Sequence, residues 1–377
     1  MFPKIRTTSI SLLFIGIFLF AFALQNNFHM VPKLLMNKGL SAPEIEDIEL
    51  LELLSYIIVG FVLIHLVIVV SNKKIMISGL VCYIGAMVCL ITIQDLDLLK
   101  VHLMIMAGGS FCYVSLSMIK IFEYAGQNKN YGLAMFLLLW VIGHLCADHV
   151  TNFFDPPTIN KFVINASLCF LVIITTFCDE ELIFNSSSIK FSILASNIET
   201  QAVTGFIVSY ITTSLCYYYD AFAVISSMGI TDMDLAKDYM IIGILIFIMP
   251  LMWLLSNINK YLFNLLLLAS LLISFILLPI YGPDKLSNIL TLMVIGASLC
   301  SIFVCNLSIL SDKFEGSELK VAILMYFTMT AIGSYCGAFA ARVGGYITNK
   351  QFTVSICLVI GYFLIYYIWR FVRLRLY

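Results

Sequence analysis

The chain has 377 residues, of which 61% are hydrophobic and 11% charged; its formal net charge is −1 and its mean hydropathy is +1.01. These values exclude a soluble globular domain and, with no basic excess, a nucleic-acid partner. The sequence reads as an integral membrane protein whose solvent is the lipid bilayer.

Crossing about 30 Å of hydrocarbon takes roughly 20 apolar residues in a helix, and continuous apolar runs favour helices over the alternating strands of a barrel. Such runs fall at 8–34, 50–70, 75–94, 101–122, 131–150, 161–178, 202–225, 238–255, 261–280, 287–310, 321–345 and 352–371. The expected fold class is therefore all-α, with about 12 transmembrane helices.

The first run follows Lys4 and Arg6 and contains Ala21-Phe22-Ala23, which resembles a signal-peptidase site. Cleavage would leave an odd number of helices, so the run is read as the first span; near its outer end it carries Gln25, Asn26, Asn27 and His29. The second opens with Glu49 and Glu52, read as solvated at the helix start, the alternative being an acidic mouth that favours cations, and ends in the basic connector Ser71-Asn72-Lys73-Lys74. Lys120 and Glu123 close the fourth, where the lysine is expected to snorkel to the interface. In the fifth, His144 and Asp148 stand one helical turn apart and project from one face. An imidazole beside a carboxylate titrates near neutral pH, which suits proton loading and release; the plainer alternative is a pair that locks the helix to a neighbour. A polar stretch through Asp179-Glu180-Glu181 and Asn185-Ser186-Ser187-Ser188 joins the halves, and the seventh run ends in Tyr217-Tyr218-Tyr219-Asp220. Arg342, near the outer end of the eleventh, is read as snorkelling.

The chain also repeats itself at half its length. Gly108, Ser110 and Cys112 return as Gly296, Ser298 and Cys300; Gly126, Met135, Ile142, Gly143 and Cys146 return as Gly316, Met325, Ile332, Gly333 and Cys336. Gly39-Leu40-Ser41 is answered by Gly229-Ile230-Thr231, and the connector at Ser71 by Ser256-Asn257-Ile258-Asn259-Lys260. Four echoes in order at nearly one offset indicate two homologous halves, the internal symmetry of secondary transporters. The expected organisation is a six-helix bundle over 1–178, a cytoplasmic linker over 179–200 and a second bundle over 201–377.

Lys and Arg are retained on the cytoplasmic side of membranes, and both termini inside gives the best separation, with four of the five arginines (Arg6, Arg370, Arg373, Arg375) internal. The 11 cysteines sit almost entirely in apolar runs without C-x-x-C spacing and read as small core residues. The five histidines all lie in the first half and no two have the i, i+4 spacing of a helical ligand pair, so no metal is expected; nor is any other cofactor.

Six plus six helices, short basic connectors after the second and eighth, and a longer central loop resemble the major facilitator superfamily. The connector Ser71-Asn72-Lys73-Lys74 keeps the basic charge of that family's signature but lacks its acidic residue, and the fifth helix lacks the glycine-proline signature of the drug antiporters. The resemblance implies alternating access between two bundles. It implies substrate-binding groups Gln25, Asn26 and His29 on the first helix, Tyr217, Tyr218 and Asp220 on the seventh, and Ser298 and Asn306 on the tenth. It further implies gating by Lys73 and Lys74 and proton coupling by His144 and Asp148, with no catalytic residues.

The leading expectation is thus a monomeric secondary active transporter for a small organic solute, with protons as the coupling ion, in a bacterial inner membrane. The acidic, histidine-rich outer half tilts the solute toward cationic or zwitterionic species. A transport-inactive receptor or scaffold is the alternative. A membrane-embedded enzyme using His144, Asp148 and His149 is a third reading, disfavoured because no nucleophile motif such as G-x-S-x-G appears.

Overall fold

The computed structural model describes residues 2–125, 128–154, 158–178, 191–217, 233–277, 285–343, 357–366 and 368–369. Its elements are α1 (Phe2–Asn37), α2 (Ala42–Val69), α3 (Asn72–Thr92), α4 (Leu96–Ala125), α5 (Lys129–Phe154), α6 (Thr158–Cys178), α7 (Phe191–Tyr217), α8 (Met233–Asn257), α9 (Lys260–Leu277), α10 (Lys285–Lys313) and α11 (Gly316–Val343). A final apolar helix, α12, covers Cys357–Tyr366. Each coincides with one expected span, and there is no strand among the described residues. Eight of these helices are long and apolar enough to cross a membrane, and α6, α8 and α12 contribute shorter apolar segments.

Most helices overrun the apolar runs that announced them. At 1.5 Å per residue the 30 residues of α4 extend about 45 Å, well past the hydrocarbon thickness, so their ends stand in the interfacial zone where polar side chains are at home. The largest departure is α7, which begins at Phe191 rather than 202 and makes half of the expected linker helical. Its first turns carry Asn197, Glu199, Thr200 and Gln201, which mask the helix in a hydropathy scan; yet Thr200 and Gln201 are buried inside their bundle.

Local signals set the boundaries. Gly39, with φ +90°, ends α1: the Leu40 amide returns to the Leu35 carbonyl at 3.1 Å, a turn that other residues enter only with strain. The Ser41 amide donates to Glu44 Oε2 at 2.8 Å to open α2. The two basic connectors are both helix caps. Ser71 Oγ accepts the Lys74 amide at 3.4 Å to start α3, and Asn259 Oδ1 accepts the Tyr261 amide at 3.0 Å to start α9.

The chain divides into two compact units, Met1–Lys190 with Phe314–Thr328, and Phe191–Lys313 with Met329–Tyr377. The expected boundary therefore needs one amendment, because the first half of α11 groups with the first unit. In that unit α1 packs on α5 and α6, and α4 packs on α2, α3 and α5; in the second, α10 packs on α8, α9 and α7. Without a hydrophobic drive between helices in lipid, close backbone approach through small residues holds such bundles together.

The echoed glycines are these points of approach. A Cβ on Gly143 of α5 would lie 2.8 Å from the Phe18 carbonyl of α1, and one on Gly333 of α11 would collide with the Phe206 carbonyl of α7. Likewise Gly108 of α4 meets Val59 and Ser55 of α2, while Gly296 of α10 meets the Met240 backbone of α8. The same seams recur in both units, so the sequence repeat is a repeat of packing. Gly333→Ala should lower the thermal unfolding midpoint of the detergent-purified protein, at a cost of roughly 1–3 kcal/mol for forced backbone separation. Gly85→Ala, where an added Cβ meets nothing within 4 Å, should leave the midpoint unchanged or slightly raised.

Candidate functional site

In the first unit α1, α3 and α6 converge on a dry knot of amides. Asn26 Nδ2 donates to Asn165 Oδ1 at 3.0 Å; Asn165 Nδ2 donates to Asn27 Oδ1 at 2.8 Å and to the Ala23 carbonyl at 3.2 Å. Asn27 Nδ2 in turn donates to the Tyr83 hydroxyl and approaches Met87 Sδ at 3.6 Å. Asn26 is 6% exposed, Asn27 3%, and Asn165 and Tyr83 not at all. Phe20 covers the knot, with its ring centroid 5.4 Å from that of Tyr83 and 4.6 Å from that of Tyr113. The second unit holds a smaller equivalent, where Asn264 Nδ2 of α9 donates to Asn306 Oδ1 of α10 at 3.1 Å and Asn306 Nδ2 reaches the Ile302 carbonyl at 2.8 Å.

The expected substrate residues are thereby located. Asn26 is committed to Asn165, Asn306 to Asn264, and Ser298 Oγ donates to Ser270 Oγ at 3.5 Å, so all three hold helices together within their own units. Gln25 is half-buried on α1. The side chains of His29 and Tyr217 lie outside those described, as do Tyr218 and Asp220 entirely. His144 is half-buried, its Nδ1 2.9 Å from the Trp140 carbonyl and its ring centroid 5.1 Å from that of Trp140, an arrangement that fixes the imidazole plane. The Asp148 side chain is outside the described ones.

The expected gating lysines are located as well. Lys73 Nζ donates to the Phe177 carbonyl at 2.5 Å and sits 5.1 Å from the centroid of that ring, fastening α3 to the end of α6. Lys74 contributes its backbone amide to the Ser71 cap. Beside this connector Glu123 Oε1 of α4 meets Lys320 Nζ of α11 at 3.0 Å, only 10% and 13% exposed, and Asn72 Nδ2 donates to the same oxygen at 3.3 Å. In the second unit Lys260 Nζ meets Asp312 Oδ2 at 2.5 Å and Ser308 Oγ at 2.6 Å. Glu123 and Asp312 are repeat-equivalent carboxylates at the ends of α4 and α10. Asp312 takes a cation from its own connector, whereas Glu123, whose connector offers the neutral Asn72, takes one from α11.

Sequence reasoning gave no role to Asn165, Tyr83, Glu123 or Lys320. Asn165 was visible only as a glycosylation-like triplet inside a span, and a buried amide in an apolar helix was itself the available signal.

No family model matches the chain. It is 38% identical over 368 residues to the uncharacterized protein RP255 of Rickettsia prowazekii, covering 96% of both chains. Among solved structures it is similar to the human organic anion transporter MFSD10, with a TM-score of 0.73, 13% identity, and 97% of this chain and 100% of that one covered. It is also similar to FucP, a major facilitator superfamily transporter captured in the outward conformation, with a TM-score of 0.76, 17% identity and coverage of 95% and 98%. A second structure of that protein describes it as the Escherichia coli fucose:proton symporter. The fold is that of the major facilitator superfamily.

Asn165→Ala removes the centre of the knot and leaves Asn26 and Asn27 each short of a partner. It should destabilise the protein by about 1–3 kcal/mol, read as a lower thermal midpoint in detergent. Ser167→Ala, whose exposed hydroxyl bonds only the Val163 carbonyl of its own helix, is the control and should change little.

Proposed function

The chain belongs to one family with RP255 of Rickettsia prowazekii and has the major facilitator fold, and on that premise we propose that it is a secondary active transporter moving a small organic solute by alternating access. The observation that supports this most directly is the repeat of packing: Gly143 on Phe18 and Gly333 on Phe206, Gly108 on α2 and Gly296 on α8. Two homologous bundles, each stiffened by its own seams and amide bonds, are what a carrier needs if its halves are to move as bodies. His144, held by Trp140, with Asp148 one turn on, is the candidate proton-carrying pair. Gating falls to the Glu123–Lys320 pair rather than to Lys73 and Lys74, because it joins α4 through opposite charges to a helix whose two halves group with different units.

A solute and pH-gradient screen in proteoliposomes tests the carrier reading, with a panel spanning organic anions, sugars, organic cations and zwitterions. Saturable flux that loses its pH dependence in Asp148→Asn is the expected result. Absence of saturable flux for every class, with folded protein, would overturn it in favour of a receptor or scaffold. For the gate, Glu123→Gln, Lys320→Ala and their combination should change turnover to a similar extent, and exchange of the charges, Glu123→Lys with Lys320→Glu, should recover it. Lys73→Ala, which removes the bond to the Phe177 carbonyl, should remain within about twofold of the wild type.

A further inference from the structure

The carboxylate of Glu52 lies within the α2 span and is reached by no hydrogen bond or ion pair among the described residues. Its place on the helix is informative. At 100° per residue, the buried members of α2, Ile45, Ile48, Ser55, Gly60, Leu63, Ile64 and Val67, spread over a broad arc that includes Glu52, whereas Ile58, Phe61 and His65 on the opposite arc are exposed. Glu52 thus stands on the packed side of α2 and is half-buried there. An ionised carboxylate at such a depth costs several kcal/mol unless it is wetted or meets a cation.

One turn further along the same face stands Tyr56, also half-buried, with Phe111 of α4 stacked on it at a centroid distance of 5.6 Å and an interplanar angle of 23°. Phe111 meets the edge of Phe327 at 6.4 Å and 87°, which fixes the orientation of the stack. Glu49 precedes Glu52 on α2; Tyr83 of α3 is close enough to sense both Glu52 and Tyr56, and Ser110 of α4 lies beside the Tyr56 hydroxyl. Lys100 of α4 acts on Glu44, two turns toward the helix start, and is paired with Asp97 at 3.5 Å.

We propose that Glu52 and Tyr56 bind the ammonium group of an organic cation, and that this cation is the class of solute the protein carries. The inference rests on the transporter reading for its second half only. A carboxylate gives the cation its charge partner, and the face of a rigidly held aromatic ring attracts an alkylammonium through its quadrupole. A metal ion fits the site poorly, since hard cations take about six oxygen ligands and no cluster of three His, Cys, Asp or Glu side chains occurs among the described residues.

The test uses the purified full-length protein, with tetramethylammonium and choline as probes and 3,3-dimethylbutanol as the uncharged isostere of choline. Binding is read by titration calorimetry and by shift of the thermal midpoint. The cations should bind saturably and the isostere should not, a comparison that needs no variant. Glu52→Gln should weaken choline binding by about tenfold or more, Tyr56→Leu by about 2- to 30-fold, and Tyr56→Phe, which keeps the ring, by about twofold or less. Equal binding of choline and its isostere, no binding of either cation, or undiminished binding in Glu52→Gln would each overturn the site. Saturable flux of a non-cationic solute without ammonium binding would sink this inference and leave the carrier standing. Ammonium binding without flux of any solute would keep the site and sink the carrier.

Discussion

Inside a bilayer there is no water to satisfy a polar group and no hydrophobic gain in pressing one apolar helix on another. The folded chain answers both conditions with the same device, side chains small enough for backbones to touch. Gly143, Gly333, Gly108 and Gly296 let helices approach until a single added carbon would strike a neighbour's carbonyl or side chain. Several polar groups that enter the hydrocarbon are bound to one another, as Asn26, Asn27, Asn165 and Tyr83 are. These contacts are stiff and directional, so each bundle keeps a fixed internal register, and the remaining features sit on that frame.

Because the frame is duplicated, departures from symmetry carry information. Ser71 and Asn259 cap equivalent helices, and Glu123 and Asp312 occupy equivalent ends, so the ancestral arrangement is still legible in both units. One substitution separates them: the second connector supplies Lys260 to its carboxylate, and the first supplies Asn72. A carboxylate satisfied within its own connector is a local staple. Glu123 takes a cation from α11.

How much of this the sequence disclosed follows from what hydropathy measures. Helix number and class were legible because a run of about 20 apolar residues matches the thickness of the hydrocarbon and is too long for a strand or an ordinary core helix. The start of α7 was not, since Asn197, Glu199, Thr200 and Gln201 look like a connector until burial shows that Thr200 and Gln201 face the bundle. The echoed glycines were legible as a pattern and gained their meaning only when a partner carbonyl or side chain appeared opposite each. Polar residues were the hardest to place: Asn26 and Asn306 looked like cavity residues, but a one-dimensional reading cannot tell an amide that faces a cavity from one that faces another amide. Glu52 erred in the opposite direction, because its nearness to the predicted start of a span suggested solvation, whereas α2 begins earlier, at Ala42, and carries Glu52 inward.

That contrast separates the polar groups by role. An amide can meet its needs by hydrogen bonding to a second amide, at modest net gain and with no counter-charge, so a buried Asn pair is a durable joint. A carboxylate cannot, since its charge persists after its lone pairs are filled and must be balanced by a proton or a cation. Within a membrane bundle, then, paired asparagines mark what stays fixed. Acidic groups mark where a balancing charge is needed, as Lys260 supplies it to Asp312 and Lys320 to Glu123. The distribution in this chain follows that division, with the amide knot at the meeting of α1, α3 and α6 and the two carboxylates on α2 and α4, the helices that share the first unit with the beginning of α11.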